Sequence, residues 1–252
     1  IYQQAQTLMT CPEIFYNDQR ARLYELLASI TPADLNRFFL CNSGTEAIEG
    51  ALKVAKLLTG RSGIVAVRRG FHGRTLGALS TTWNKQYREP FADWQPEVVH
   101  ISPDDLESAQ QSISNETAAV LVEVIQGEGG VYPLRGEYLH GLREICDQTG
   151  ALLIVDEIQT GFGRTGRWFA TEHEGIVPDI MALGKAIGGG IPMGAVCWRD
   201  SLGEIPRSSH GSTFGGNPLA CASSIATIET LQNSKLVEKS AELGAWFINE
   251  LQ

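Results

Sequence analysis

Ala151-Leu-Leu-Ile-Val-Asp-Glu157, "ALLIVDE", decides the fold. Five apolar residues run without alternation and end on two carboxylates. So short a run is a strand covered on both faces rather than one with a wet side. Working outward, similar short runs fall at Arg37–Cys41, Gly63–Val67, Val98–Ile101, Ala118–Ile125 and Ala195–Trp198. Between them lie amphipathic stretches, Glu46–Leu58 closed by Gly60 and Glu137–Gln148 closed by Gly150. In the second, Tyr138, Leu139, Leu142, Ile145 and Cys146 recur at helical spacing. The alternation predicts an α/β fold, a mostly parallel sheet with helices on both faces. Chemistry in such folds gathers at the carboxyl ends of strands.

The chain has 252 residues, 43% hydrophobic and 19% charged, enough for one large core or two modest ones. A net charge of -9 argues against a nucleic-acid or anionic-membrane surface, which needs clustered Lys and Arg. No apolar stretch is long enough to span a bilayer, and no secretory leader opens the chain. The five cysteines, Cys11, Cys41, Cys146, Cys197 and Cys221, are odd in number and scattered. With no Cys-x-x-Cys and no ligand-spaced histidines, neither a disulfide framework nor a metal site is expected. A reducing, cytoplasmic setting follows. The start at Ile1 and the stop inside an apparently helical run, Ala241 to Gln252, read as those of a fragment.

Two motifs mislead. "LLIVDE" (Leu152–Glu157) resembles the acidic strand of a nucleoside-triphosphatase, but the only Gly-Lys pair is Gly184-Lys185. Ala186 stands where a magnesium-binding Ser or Thr belongs, and Asp179 where the first glycine belongs. "GFGRTG" (Gly161–Gly166) matches Gly-x-Gly-x-x-Gly, yet four residues separate it from Asp156 and "RWFATEHEG" after it is a poor helix. A dinucleotide fingerprint sits in the turn directly after the strand.

Four other features combine better. In "LCNSGTEAIEGALKVAK" (Leu40–Lys56), Ser43 and Glu46 have capping-box spacing. Gly44 lets a ligand approach, and free amides at a helix start attract phosphate. In "RGFHGRTLGALS" (Arg69–Ser80), Phe71 is either a core anchor or a face for a ring, and Arg74 suits a carboxylate. Asp156 ends an apolar strand and needs a cationic partner, such as a protonated ring nitrogen; Gln159 follows as a neutral donor. In "MALGKAIGGGIPMG" (Met181–Gly194), Lys185 reads either as a surface residue at a glycine-stopped helix end or as a desolvated nucleophilic amine. Phosphate cradle, ring-stacking aromatic, carboxylate and amine are what a pyridoxal phosphate site requires.

"NSGTEA", "GFHGRT", "VIQGEGG", "LLIVDEIQTGFGRTG", "DIMALGKAIGGGIPMGA" and "HGSTFGGNPLA" together resemble the class III, fold-type I pyridoxal phosphate aminotransferases. "GFHGRTLGALS" and "YREPF" (Tyr87–Phe91) are most similar to acetylornithine aminotransferases and to the relatives acting on carrier-bound lysine or ornithine. The resemblance implies catalytic roles for Lys185, as Schiff-base lysine, and for Asp156, against the ring nitrogen. It implies cofactor contacts at Gly44, Thr45, Phe71, Glu157, Ile158 and Gln159, and at Thr213 toward the partner subunit of a homodimer with shared sites. Arg74 would hold a substrate carboxylate, Ser212 would line the pocket, and Glu128 would be an acidic gate pairing with an arginine of a C-terminal domain. It further implies a cofactor-binding large domain over 1–230, without its N-terminal arm, and the start of a connection to a small domain over 231–252. The implied reaction is ping-pong transfer of the terminal amino group of acetylornithine, or a similar N-protected diamino acid, to 2-oxoglutarate in arginine or lysine biosynthesis. A carrier protein is a further possible partner. Ornithine or 4-aminobutyrate transamination, a decarboxylase or mutase on the same fold, or a cofactor-binding domain without turnover are the alternatives.

Overall fold

Apolar residues on successive strand positions need cover on both sides of a sheet, and the structure supplies it. The computed structural model describes residues 1–32 and 34–252. The strands are β1 (Leu35–Cys41), β2 (Gly63–Val67), β3 (Val99–Ile101), β4 (Thr117–Val122), β5 (Ile125–Gln126), β6 (Tyr132–Pro133), β7 (Leu152–Asp156), β8 (Ile180–Leu183) and β9 (Gly194–Arg199). Among the described residues they form a seven-stranded sheet in the order β1-β9-β8-β7-β4-β2-β3, and β5 pairs with β6 apart from it. All pairs within the large sheet are parallel except those of β9 with β1 and β8. Because β9 alone runs backwards, the carboxyl ends of β1, β8, β7, β4 and β2 share one edge.

The period-2 alternation of each strand divides the core. Val120, Val122, Leu153 and Val155 pack beneath the Gly136–Thr149 helix with Tyr138 and Leu142. Ala119, Leu121, Ile154, Ile180 and Ala182 face the other way, against Ala47, Ile48, Ala51 and Val54 of the Gly44–Thr59 helix. A third cluster joins Met181 and Leu183 to Leu23 and Leu27 of the Asp18–Ile30 helix and to Ile225 and Ile228 of the Pro218–Asn233 helix.

The continuous strand expected over Ala118–Ile125 is broken. β4 stops at Val122, and the chain turns at Glu123 into the small β5–β6 pair, because the Glu123 carboxylate is buried and accepts the amides of Phe71 and Gly127. β8 was not anticipated; the run before Lys185 is a buried strand rather than a helix. The Gly161–Gly166 motif opens no helix but forms consecutive turns. Among the described residues no helix is long and apolar enough to cross a membrane.

Ile154 is fully buried at the centre of this sheet. Ile154→Ala should lower stability by about 2–5 kcal/mol, read as a shift of the denaturation midpoint with an unchanged slope.

Candidate active site

Each strand ending at the shared edge delivers one part of a cavity of about 390 Å³. From β1 the chain enters the Gly44–Thr59 helix through a Ser43 cap backed by Glu46. Ser43 Oγ accepts the Glu46 amide at 3.3 Å, and the Glu46 carboxylate accepts the Asn42 amide at 3.0 Å. The amides of Gly44 and Thr45 lie in the first turn, where no intrahelical acceptor exists, and both residues line the cavity. Thr45 Oγ1 adds a hydroxyl, held 2.8 Å from Thr75 Oγ1. A methyl group on Gly44 would lie 2.9 Å from Ile158 Cγ2, so the glycine keeps this cradle open.

β7 ends at Asp156, which is 4% exposed and lines the cavity. Its Oδ1 accepts the Ile158 amide at 3.0 Å, and its Oδ2 accepts from His72 Nδ1 at 2.8 Å. His72 is 2% exposed, its backbone amide donates to Thr82 Oγ1, and its Nε2 has no partner. The Nδ1–H tautomer therefore suits it: Nδ1–H donates a hydrogen bond to Asp156, and only a lone pair is left bare at Nε2.

β8 delivers Lys185 through a backbone at φ 44°, just past Gly184. Sequence reasoning embeds this lysine among apolar neighbours. Those neighbours are the buried strand β8, whereas the Lys185 side chain emerges exposed at the cavity and donates to Gln159 Oε1. Phe71, Ile158 and Gln159 also line the cavity, as do exposed Arg74 and Glu128.

Two residues expected at this chain's own site, Glu157 and Ser212, stand elsewhere, and so does Thr213, which is expected to face the partner's site. The Glu157 side chain leaves the cavity, since consecutive strand residues point to opposite sides. It is fully buried and accepts the amides of Ala170 and Thr171 at 3.0 and 2.9 Å and the Thr160 hydroxyl. Burial pushes its carboxyl pKa up, and the hydrogen bonds oppose that. Ser212 is half-buried, accepting from Asn42 Nδ2 at 3.2 Å, and Thr213 is exposed; neither lines the cavity.

Three cavity residues lie outside the expected set, Gly73 and the ionisable His72 and Glu123. Glu123 carried a usable signal, the one that marked Asp156: a carboxylate directly after an all-apolar strand. His72 carried none beyond its place next to Phe71. Glu123 is 6% exposed, and burial raises its carboxyl to about 7. Nearby Asp156 pushes the same way, while His72 and the two amides oppose it.

These residues fit a flat anionic aldehyde. Amides and a hydroxyl would hold its phosphate, Asp156 would meet its ring nitrogen, Phe71 and Ile158 would flank the ring, and Lys185 would supply the amine for its carbonyl carbon. The family model for class-III aminotransferases matches residues 1–252. The chain belongs to that family. This class-III aminotransferase chain is 48% identical, over 252 residues, to an acetylornithine aminotransferase of Methanosarcina acetivorans, covering 100% of the chain and 63% of the relative. It is 45% identical to a [LysW]-aminoadipate semialdehyde transaminase of Deinococcus radiodurans, covering 100% of the chain and 59% of that relative. Among solved structures, the ornithine aminotransferase of Toxoplasma gondii superposes with a TM-score of 0.93 at 35% identity, over 99% of this chain and 61% of that one. The chain thus spans a little under two thirds of the relatives it matches. The cofactor of this class-III aminotransferase site is pyridoxal 5'-phosphate.

Glu123 yields a pH test. Its carboxyl sits at about 7 in the folded chain against an ordinary 4.5, so between those values the folded state binds the extra proton. Its effect on stability is most favourable below 4.5 and declines as the pH rises to about 7. Glu123→Gln keeps an acceptor and loses the titration. The melting temperature of the variant should therefore rise relative to wild type between about pH 5 and about pH 8.5, as read by circular dichroism.

Proposed function

We propose that the protein is an acetylornithine-type aminotransferase, moving the terminal amino group of an N-protected diamino acid to 2-oxoglutarate by a ping-pong cycle. The observation that carries this reading is the placement of Lys185, Asp156 and Arg74 around one cavity floored by helix amides. When bound, the cofactor supplies an aldehyde carbon for amine exchange and a ring that withdraws electrons from the substrate carbon. Asp156 would keep a proton on the ring nitrogen, and its hydrogen bond with His72 fixes the orientation of the carboxylate. Lys185 Nζ, at the cavity, would be the amine that bonds the cofactor's aldehyde and, when free, would carry a proton to and from the substrate's terminal carbon. Arg74 holds the carboxylate at the donor's far end. Phe71 and Ile158, which line the cavity, would exclude water from the two faces of the ring. In the second half-reaction the same groups accept 2-oxoglutarate and release glutamate.

In this reading residues 1–230 form the cofactor domain, and 231–252 begin the connection to a smaller one. The helix Leu236–Leu251 leaves Leu243, Trp246, Phe247, Ile248 and Leu251 exposed, which supports further apolar packing there. The active assembly is a homodimer in which Thr213 serves the neighbouring site; its exposure, apart from its own chain's cavity, supports that. The setting is the cytoplasm, and a carrier protein bearing the donor is a compatible partner.

The purified protein with pyridoxal phosphate, acetylornithine and 2-oxoglutarate should form glutamate. Lys185→Ala should lose the cofactor's Schiff-base absorption band and reduce turnover by about 10²–10⁴-fold or more. Cofactor binding with no glutamate formed from acetylornithine would overturn the reading.

A further inference from the structure

Arg74 presents an exposed guanidinium at the cavity, and among the described residues no carboxylate forms an ion pair with it. Two aromatic rings orient it instead. Its Cζ lies 3.5 Å from the centroid of the Tyr87 ring and 5.6 Å from that of Phe71. The two rings meet edge to face, with centroids 6.2 Å apart and planes at 88°. Tyr87 does not line the cavity; it stands behind the arginine on the short Lys85–Arg88 helix. That helix is anchored by Asn84, whose Oδ1 accepts the Gln86 amide at 3.0 Å. The Trp83 amide donates to Gly70 O at 2.9 Å, tying this segment to the loop that carries Phe71.

An arginine side chain loses considerable rotamer freedom when a carboxylate captures it, and seating its Cζ 3.5 Å over an aromatic ring removes much of that loss beforehand. Contact with the ring face also leaves the N–H groups at the guanidinium edge free for a two-pronged carboxylate contact. We propose that Tyr87 is a positioning residue for Arg74, and that the pair sets a preference for amino donors with a carboxylate at the end remote from the reacting amine over plain ω-amines. The proposal rests on Arg74 being the carboxylate-holding residue of the proposed function.

The test compares wild type, Tyr87→Phe and Tyr87→Leu as holoenzymes, on acetylornithine and on N-acetylputrescine, the same molecule without its carboxylate. Tyr87→Leu should raise KM for acetylornithine by about 3–30-fold with kcat little changed, the range of a cation–π contact. It should leave kcat/KM for N-acetylputrescine and the cofactor absorption band unchanged, and Tyr87→Phe should behave as wild type. Equal losses on both donors, or no loss on either, overturn the proposal. A second arm needs no turnover: calorimetric binding of N-acetyl-L-norvaline, which keeps the carboxylate and lacks the terminal amine. Weaker binding to Tyr87→Leu than to wild type supports the proposal; equal binding, or none to wild type, overturns it. A wild type that binds this acid without transaminating acetylornithine refutes the proposed function and leaves the Tyr87 inference standing.

Discussion

The parallel pairing of β7 with β8 is the constraint on which the site depends. Its register sets Asp156 opposite Ala182, and the ladder continues one step further as Glu157 donates its amide to Ala182 O at 3.0 Å. Two residues past Ala182 the backbone reaches Gly184, so Lys185 emerges on the same edge as the strand-end carboxylate. Slipping this pairing by one residue would turn Asp156 toward the opposite face of the sheet and Glu157 toward the cavity. The apolar residues before each strand end guard against that slip. Ile154 and Ile180 belong to one buried cluster, and Val155 and Met181 pack on the other face.

Three ionisable side chains share the buried floor, and their hydrogen bonds explain how the fold tolerates them. A buried carboxylate without partners would cost several kcal/mol. Asp156 has a backbone amide and an imidazole, and Glu123 has two backbone amides. His72 lies electrostatically between the two carboxylates, lowering the Glu123 pKa while Asp156 raises it. Glu123 also has a mechanical part. By accepting from Phe71 N and Gly127 N, it ties the loop after β2 to the turn that carries Glu128. Electrostatics and loop geometry are thus fixed by the same oxygen atoms.

Much of this was legible because strand-end logic is local. Gly63–Val67 is a strand over the expected residues, and Ser43 caps the Glu46 amide as its spacing predicts, while Glu46 reaches one residue further back to the Asn42 amide. What was not legible depended on tertiary contacts. β8 has only four residues, Ile180–Leu183, and is recognisable only from its neighbours on either side. The Pro218–Asn233 helix spreads small and apolar residues around its circumference, so no stripe announces it. For the acidic pair 156–157, strand geometry dictates that only one carboxylate faces the cavity. Which one is a property of register, and the buried partners of Glu157, the amides of Ala170 and Thr171, lie 13 and 14 residues away. The Gly161–Gly166 turns lie inside the segment that this anchor closes, which gives the dinucleotide-like motif a structural purpose.

Glycine has a more specific part beside Lys185 than stopping a helix. A methyl group on Gly184 would stand 3.0 Å from Ile158 Cγ2 and 3.2 Å from Gly44 Cα. The phosphate cradle after β1, the ring-flanking isoleucine after β7 and the lysine after β8 therefore touch through positions that have no side chain. Adding one at either glycine would separate parts contributed by three different strands. Misplacement of reacting groups by about 1 Å can cost 10²-fold in rate. Close backbone approach at Gly44 and Gly184 therefore constrains this site as strictly as the identity of its amine.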